Sequence, residues 1–443
     1  MDTATMIEQL VNLERVTINQ MEQRKSNYQN QISIVQNLNS KLQALQTKSQ
    51  DLDTLEEFLS YETTTSDSDY VTVSATGKAN PGSYSIDVLN LAQSERRYSK
   101  GFSAKDEAGV AGEGTLTIQV GDGDAVEISV EATDTLESIV SKINSADLEA
   151  SAGILFDGTS YYLQISGTET GAENALTISE SGGTLDMDLE DTAANIVQAA
   201  EDAQIVMDGF TISSASNKVT TAIPGVTLTL NEETTAEGVD PVNVKISPNS
   251  DEIQKKIKGL IDAYNAAISV IHNEFRFDGE AKDASRLTGD STLRGVQMQL
   301  NMLFSSSIGD LPGSLQALSQ LGIKSGTDGT LSIDSTVLGE AIAKDARGVA
   351  EFFAGTGDHE VDGLADKLDA LIDTFVDYSE GILTAKINGM NSSVASIQKS
   401  IDRQEEYVDK FEEKLRAQFT AMEVTMSSLT SQSNFLSSQS SVW

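Results

Sequence analysis

Two histidines are all that this 443-residue chain offers for proton transfer near neutral pH, and it contains no cysteine. His272 stands beside Ile271 in a helix-patterned stretch, and His359 lies in a Gly/Asp loop. No nucleophile elbow frames a serine, so a Ser–His–Asp triad is not expected. The missing thiols remove disulfides, thiolate metal sites and cysteine nucleophiles. Neither a Gly-x-x-x-x-Gly-Lys nor a Gly-x-Gly-x-x-Gly loop is present. Asp122 and Asp124, and the run Asp186, Asp188, Glu190 and Asp191, invite Ca²⁺. The EF-hand spacing with its closing Glu is absent, so a hairpin and a solvated loop are the better readings. Gly289-Asp290-Ser291 suggests a phosphate site, but Asp290 or Ser291 as a helix N-cap accounts for it. The expectation is a chain with no catalytic residue, no metal and no cofactor.

The positioning elements carry a different message. Residues 1 to about 60 are rich in Gln, Asn, Leu and Glu and lack Gly and Pro, which predicts continuous helix. Val35, Leu38, Leu42, Leu45, Leu52 and Leu59 fall on alternating three- and four-residue steps, interrupted by Ser49 and Glu56. Met21 and Tyr28 extend one row upstream, while Arg24 and Gln31 occupy the companion positions. The last segment is clearer. Val394, Ile401, Val408, Leu415, Met422, Leu429 and Leu436 recur every seven residues. The companion row is Met390, Ile397, Gln404, Phe411, Gln418, Thr425 and Gln432. Such a stripe faces a partner helix. From Met390 to Leu436 it would run roughly 70 Å at 1.5 Å per residue.

A magnitude decides what the stripe needs. Burying its apolar row yields on the order of 10–20 kcal/mol at most. Fixing each backbone costs about 1–2 kcal/mol before hydrogen bonds compensate. The helix must therefore pack on the N-terminal arm, on other copies, or on both. The Gln and Thr of the second row suit a wetter, exchangeable contact. An ordinary intramolecular hairpin is the plain alternative.

Between the arms, residues 63 to 249 turn to Thr, Ser, Val, Gly and Asp with period-two alternation. Tyr84, Ile86 and Val88 share a face, as do Leu116, Ile118 and Val120, then Val126, Ile128 and Val130. Val226, Leu228 and Leu230, then Val242, Val244 and Ile246, repeat the pattern, which predicts half-buried strands. Gly121 to Asp124 predicts a hairpin loop. Leu136, Ile139, Val140 and Ile143 predict one short helix, and Ala193 to Ala203 a second. Ser250 is placed to cap a helix with the face Ile253, Ile257, Leu260, Ile261, Tyr264, Ile268, Ile271 and Phe275. Leu364, Leu368, Leu371 and Phe375 form a later helical face. The fold class is multidomain α+β, with terminal coiled-coil helices, a helical body and inserted β-rich domains.

Charge removes several partners. Lys plus Arg number 30 against 68 Asp plus Glu, a net charge of −38. That field repels nucleic acid and anionic membrane surfaces. No apolar run reaches transmembrane length, so no membrane insertion is expected. The N-terminus shows neither a basic n-region nor an apolar h-region, so export is expected to use a route other than a cleaved secretory signal.

The ordered motifs resemble the bacterial flagellar filament-capping family (flagellar hook-associated protein 2). They begin with Asp2 to Met6 followed by Leu10-Val11-Asn12-Leu13-Glu14, then Pro81-Gly82-Ser83-Tyr84 with Leu89 to Gln93. The most recognisable are Ala203 to Gly209, Ser216 to Val219 and Ile223 to Leu228. Asp262-Ala263-Tyr264-Asn265, Leu287 to Arg294, Leu321-Gly322-Ile323, Asp328 to Leu331 and Gln418 to Glu423 follow in order. Residues 114 to 180 also resemble a module shared with flagellins. The family usually carries a short Gly/Ser/Leu prefix before the Asp-Thr segment, where this sequence has Met1.

The resemblance implies a plan of legs, body and heads. On it, residues 1–37 form the N-terminal coiled-coil leg and 38–72 the first part of the helical body. Residues 73–110 and 205–249 form the first β-rich head, and 111–204 the second, flagellin-like head. Residues 250–389 complete the body and 390–443 the C-terminal leg. The implied function is a structural, non-enzymatic homo-oligomeric ring at the distal filament tip. It promotes flagellin folding and insertion and prevents loss of flagellin monomers. The implied partners are flagellin, the hook–filament junction proteins and a cytoplasmic export chaperone, and the implied location is extracellular after export by the flagellar secretion apparatus. The leg and oligomer contacts are expected at Val394, Ile401, Val408, Leu415, Met422, Leu429 and Leu436, with Leu38, Leu45 and Leu52 opposite. Two rival readings are a surface adhesin using the β-rich heads and a filament or junction subunit.

Overall fold

A computed structural model describes residues 3–190, 195–235, 239–275, 287–309, 311, 315–356 and 360–440. The chain opens with the 48-residue helix α1 (Thr3–Gln50) and the single turn α2 (Leu55–Phe58). Four strands follow: β1 (Tyr61–Thr65), β2 (Val71–Ala75), β3 (Gly82–Asn90) and β4 (Arg96–Tyr98). Then come β5 (Gly114–Val120), β6 (Val126–Val130), α3 (Leu136–Ser145), β7 (Ala150–Phe156), β8 (Tyr161–Gly167) and β9 (Leu176–Ser181). The strand series ends with β10 (Ile196–Gln198), β11 (Ala203–Met207), β12 (Phe210–Ser214), β13 (Lys218–Val219), β14 (Val226–Leu230) and β15 (Val242–Pro248). Helices return with α4 (Ser250–Phe275) and α5 (Ser291–Ser305), then the small hairpin β16 (Ile323–Ser325) and β17 (Leu331–Ile333). The chain closes with α6 (Ser335–Ala354), α7 (Leu364–Val376) and the 59-residue α8 (Ile382–Ser440).

Two compact units result: residues Leu59–Glu252 form one, and Met1–Phe58 with Ile253–Trp443 form the other. The 72/73 edge expected between body and head falls inside β2. The reason is a long-range pairing: the β-branched run Thr63-Thr64-Thr65 pairs with Ile246, Lys245 and Val244 of β15, which draws this stretch into the sheet.

The sheet unit has two cores. In the first, a five-stranded antiparallel sheet (β1-β15-β3-β11-β12) packs with a three-stranded one (β13-β14-β2) around Val71, Ile86, Val88, Ile205, Leu228 and Val244. The β11–β12 turn uses Asp208 and Gly209, both at positive φ, as a two-residue hairpin of this twist requires. The second core lies among β6-β5-β9, β10-β4-β8-β7 and α3, around Leu116, Ile118, Leu136, Ile139, Leu163 and Ile165. Thr135 caps α3 at its start. The β5–β6 hairpin closes over Gly121–Asp124 as its sequence predicts, with the Gly123 amide donating to the Val120 carbonyl at 2.9 Å.

The helix predicted over 193–203 does not form among residues 195–203. Ile196–Gln198 instead pairs with Arg96 and Arg97 of β4. Inside this core lies a charge pair that periodicity did not announce. Glu95 and Arg97 are both buried and ion-paired, and the Arg97 guanidinium also donates to the Leu176 and Leu189 carbonyls. The other Glu95 oxygen accepts the Leu176 amide at 2.9 Å. The pair thus ties β4, β9 and the segment around Leu189 together.

In the helical unit, α4 buries its predicted face from Ile253 to Ile271. Its first-turn cap is Asn249, whose Oδ1 accepts the Glu252 amide at 3.0 Å, in place of the predicted Ser250. The hydroxyl of buried Tyr264 lies 2.6 Å from Asn301 Oδ1 and 3.0 Å from the Gly329 carbonyl, and its single proton is shared between these two acceptors. Burial pushes its phenol pKa upward, so this hydroxyl is a structural donor. Phe58 stacks on Phe353 with ring centroids 5.4 Å apart.

Candidate assembly interface

The terminal helices pack against each other antiparallel. Lys25 donates to Gln398, and Ile18 lines one groove with Val408. Ile7, Val11, Ile18, Ile401 and Val408 form a small buried core, flanked by Met21, Ile397, Leu415 and Phe419. The α1 row that faces α8 is therefore Ile7, Val11, Ile18 and Met21. Met21 lies on the row extended upstream through Met21 and Tyr28, and Ile7 continues it, while Val11 and Ile18 take the companion place in which Arg24 and Gln31 were read.

This register relocates three expected contacts. Leu38, Leu45 and Leu52 are fully buried, but they do not lie opposite Val408 to Leu436. Leu38 and Leu45 lie in the later part of α1, which leads into the stretch that meets α7, and Leu52 lies just past its end. In that stretch Gln46 donates to Asp373 at 2.7 Å, Gln50 to Asp369 at 2.9 Å, and Ser49 to the Ala365 carbonyl at 2.9 Å. Ser49, which reads as a gap in the heptad, is a buried and satisfied hydrogen-bond donor.

The α8 row divides in two. Val394 and Leu415 are half-buried, while Ile401 and Val408 are buried against α1. Beyond them Met422 is 47% exposed, Leu429 53% and Leu436 64%. Val424, Met426 and Phe435 are exposed as well. The register explains the change. Ile7 and Phe419 belong to the same cluster, so the stretch of α8 from Met422 onward lies beyond the core that α1 and α8 share. A second apolar face, Leu10, Leu13 and Val16, is exposed on α1.

Charge also changes along α8. Lys410–Glu406 and Arg416–Glu412 are i,i+4 pairs at 2.6 and 2.7 Å on the exposed face of the helix. From Val424 to Trp443 the sequence has no charged side chain at all. In a chain of net charge −38, this is the stretch where like molecules approach with least repulsion.

At its other end α8 is anchored in the body. Asp290 caps α5, accepting the Thr292 and Leu293 amides at 3.0 and 3.2 Å, and pairs with Lys386 of α8 at 2.6 Å. Partial burial works to raise the Asp290 pKa. The Lys386 ammonium and the two amides outweigh it and hold the carboxyl below its ordinary value. Gly289-Asp290-Ser291 is thus a cap and a clamp.

The remaining chemical candidates stay apart. His272 is exposed on α4, and His359 and Asp191 lie outside the described residues. Asp186 pairs with Lys100, and Glu180 accepts the Met187 and Leu189 amides at 2.8 Å, which orders that acidic run. Among the described residues, no group of three His, Cys, Asp or Glu is placed to hold a metal ion. No described helix is long and apolar enough to cross a membrane.

Known proteins share this architecture. The flagellar hook-associated protein 2 N-terminus model matches residues 1–95, the C-terminus model residues 200–431, and the flagellin hook IN motif residues 115–155. Flagellar hook-associated protein 2 of Escherichia coli (strain K12) is 27% identical over 458 residues, covering 99% of this chain and 96% of that protein. The B-type flagellar hook-associated protein 2 of Pseudomonas aeruginosa is 28% identical, covering 97% and 93%. The crystal structure of the D1-D2-D3 domains of the Escherichia coli flagellar cap protein FliD superposes with a TM-score of 0.70 at 29% identity. It covers 81% of this chain and 99% of that one. With the C-terminal model spanning more than half of the sequence and the fold following the same domain plan, the chain belongs to the flagellar hook-associated protein 2 family.

Proposed function

We propose that the outer half of α8 is the surface through which copies of this flagellar cap protein assemble. Family membership makes the chain a structural, flagellum-associated cap protein. The finer picture is a homo-oligomeric ring at the distal, extracellular end of the filament. In it the β-rich unit serves as the head and the α1–α8 pair as the leg. The ring would promote folding and insertion of flagellin and prevent its loss. Export through the flagellar secretion apparatus, with a cytoplasmic chaperone and the hook–filament junction proteins as further partners, belongs to the same proposal. No catalytic role is assigned. The family favours this reading over the adhesin and the filament-subunit alternatives.

One observation supports the interface most directly. Met422, Leu429 and Leu436 continue the row that is buried at Ile401 and Val408, yet they stand exposed, the last two on a stretch without charged side chains. Apolar surface of this kind marks an association site. Inner-row residues Val394, Ile401, Val408 and Leu415 set the hairpin, while Leu38, Leu45 and Leu52 fix its root in the body.

Leu429→Asp tests this. The purified variant should keep its circular dichroism and lose its oligomers. Cells carrying it should be non-motile and should leak unpolymerised flagellin. Normal rings and normal filament length would contradict the interface.

A further inference from the structure

A free sheet edge is a template for another strand, and folded chains blunt such edges with charge, bulges, short strands or covering groups. Edges elsewhere in the sheet unit carry these guards. At β7 the Asn144 carboxamide accepts the Ala152 amide at 2.7 Å and donates to the Ala152 carbonyl at 2.9 Å. Lys142 donates to the Ser129 carbonyl of β6 at 2.9 Å, and Thr63 to the Val73 carbonyl of β2 at 2.8 Å. β10 is only three residues long, and its register is broken between Ile196 and Gln198.

β12 lacks them. It is the last strand of the five-stranded sheet, and it pairs only with β11. Met207 and Phe210 close a two-residue turn, so Phe210, Ile212 and Ser214 direct their main-chain groups to β11, and Thr211 and Ser213 direct theirs away from it. Among the described residues none bonds to those outward groups, and both side chains are exposed. Residues 209–217 hold no charged side chain and no proline. The flanking carboxylates are already engaged: Asp202 accepts the Ala172 amide and the Ser213 hydroxyl, and Asp208 accepts the Ser85 amide. The free window ends past Ser214, where Thr170 donates to the Ala215 carbonyl at 2.7 Å. The core below is unfinished at this rim: Ile205 is 1% exposed, while Phe210 on the same face is 74% exposed.

We infer that β12 pairs antiparallel with β12 of a second copy of this chain. An extended main chain is what satisfies such an edge, and here the edge is its own complement. In the register that overlaps the whole strand, a two-fold axis passes beside Ile212. Thr211 then exchanges both main-chain hydrogen bonds with the partner's Ser213, and Ser213 with the partner's Thr211. Phe210 lies across from the partner's Ser214, whose small side chain leaves room for the ring, so the two unfinished rims close on each other. In a molecule of net charge −38, an uncharged edge lets two copies meet without local repulsion. A five-residue strand buries far less than the roughly 1,200–2,000 Å² of a stable complex, so the pairing is weak and concentration-dependent. A two-fold contact of this kind cannot repeat around a closed ring of more than two copies. It is therefore distinct from assembly through α8 and stands whether or not that assembly occurs.

Because the chain has no cysteine, one introduced thiol reports one contact. Ile212 faces the partner's Ile212 at a site without hydrogen bonds, where Cα atoms lie about 4.5 Å apart, within disulfide reach. Under mild oxidation the full-length Ile212→Cys chain should form a disulfide dimer whose yield rises with concentration, with or without Leu429→Asp. Glu127→Cys, exposed on the charged edge of β6, should not cross-link under the same conditions. Adding Ser213→Pro, which removes an outward amide and leaves the β11 ladder intact, should abolish the cross-link. Adding Ser213→Ala, which loses the same hydroxyl and keeps the amide, should leave it. In the Leu429→Asp chain without any cysteine, the Thr211 and Ser213 amides should gain protection from hydrogen exchange as concentration rises. Equal cross-linking by Ile212→Cys and Glu127→Cys, or equal yields with Ser213→Pro and Ser213→Ala, overturns the pairing. Unchanged exchange at Thr211 and Ser213 across the concentration range overturns it even if a variant fails to fold. Protection of those amides by an added unfolded polypeptide, with none from the chain itself, would assign the edge to another occupant and overturn it as well.

Discussion

Val408 and Leu436 occupy the same heptad row of the same helix, and one is 1% exposed while the other is 64% exposed. The inner part of the row finds Ile7, Val11 and Ile18 within its own chain. The outer part, at Met422, Leu429 and Leu436, stays exposed. Propensity does not separate the two stretches, since Ser, Thr and Gln in the outer part still propagate helix adequately. Tertiary contact does. An isolated helical segment of this length is marginal in water, so the outer part depends on what it meets. The difference shows how one uninterrupted helix serves as scaffold at its root and as recognition surface at its tip.

Regions closed within one chain should lose stability as monomers when altered, and the outer stretch should not. The largest loss belongs to the second head core. Arg97→Ala leaves Glu95 buried without its partner and should cost about 3–5 kcal/mol in the unfolding of that core by denaturant. Ile401→Ala removes buried volume from the two-helix leg. It should cost about 2 kcal/mol, at the low end for such truncations because a two-helix layer relaxes easily, and should show as lower helix protection near Ile18. Asp290→Ala should cost about 1 kcal/mol through loss of the α5 cap.

Asp290 also predicts a pH dependence with a definite sign. Its folded pKa lies below the unfolded value near 4, so its contribution is complete above that value. The contribution disappears as pH falls through the depressed folded pKa. A denaturation series below about pH 4 should therefore fall less steeply for Asp290→Asn than for the unaltered chain. Leu429→Asp closes the series. Its effect on monomer stability should stay within about 0.5 kcal/mol, while its effect on assembly is complete. A monomer loss as large as that of Ile401→Ala would erase the inner–outer distinction.

Much of this was legible in the residues themselves. The long helices, the alternating strands, the Gly121–Asp124 hairpin and the Asp290 cap follow from spacing and turn chemistry. The register of α1 on α8 did not follow, because periodicity reports that a face is buried without naming the partner. Gln46, Ser49 and Gln50 answer α7, and Ile7, Val11 and Ile18 answer α8. The row from Ile7 through Met21, Val35 and Leu42 to Ser49 keeps one heptad frame throughout, so the frame cannot show where one partner gives way to the next. Residues 195–198 read as helix because alanines surround them, but pairing with β4 overrides propensity. The Glu95–Arg97 pair has no signature in the sequence, since an alternating pattern cannot show that two inward charges satisfy each other.

Hydrogen exchange along α8, compared between dilute monomer and assembled protein, tests the central claim most directly. Amides over 394–415 should be protected in both states, and those over 422–437 should exchange freely in the monomer and become protected on assembly. Equal protection of 422–437 in the dilute monomer would show that the exposed row is already satisfied within one chain, and would contradict the account.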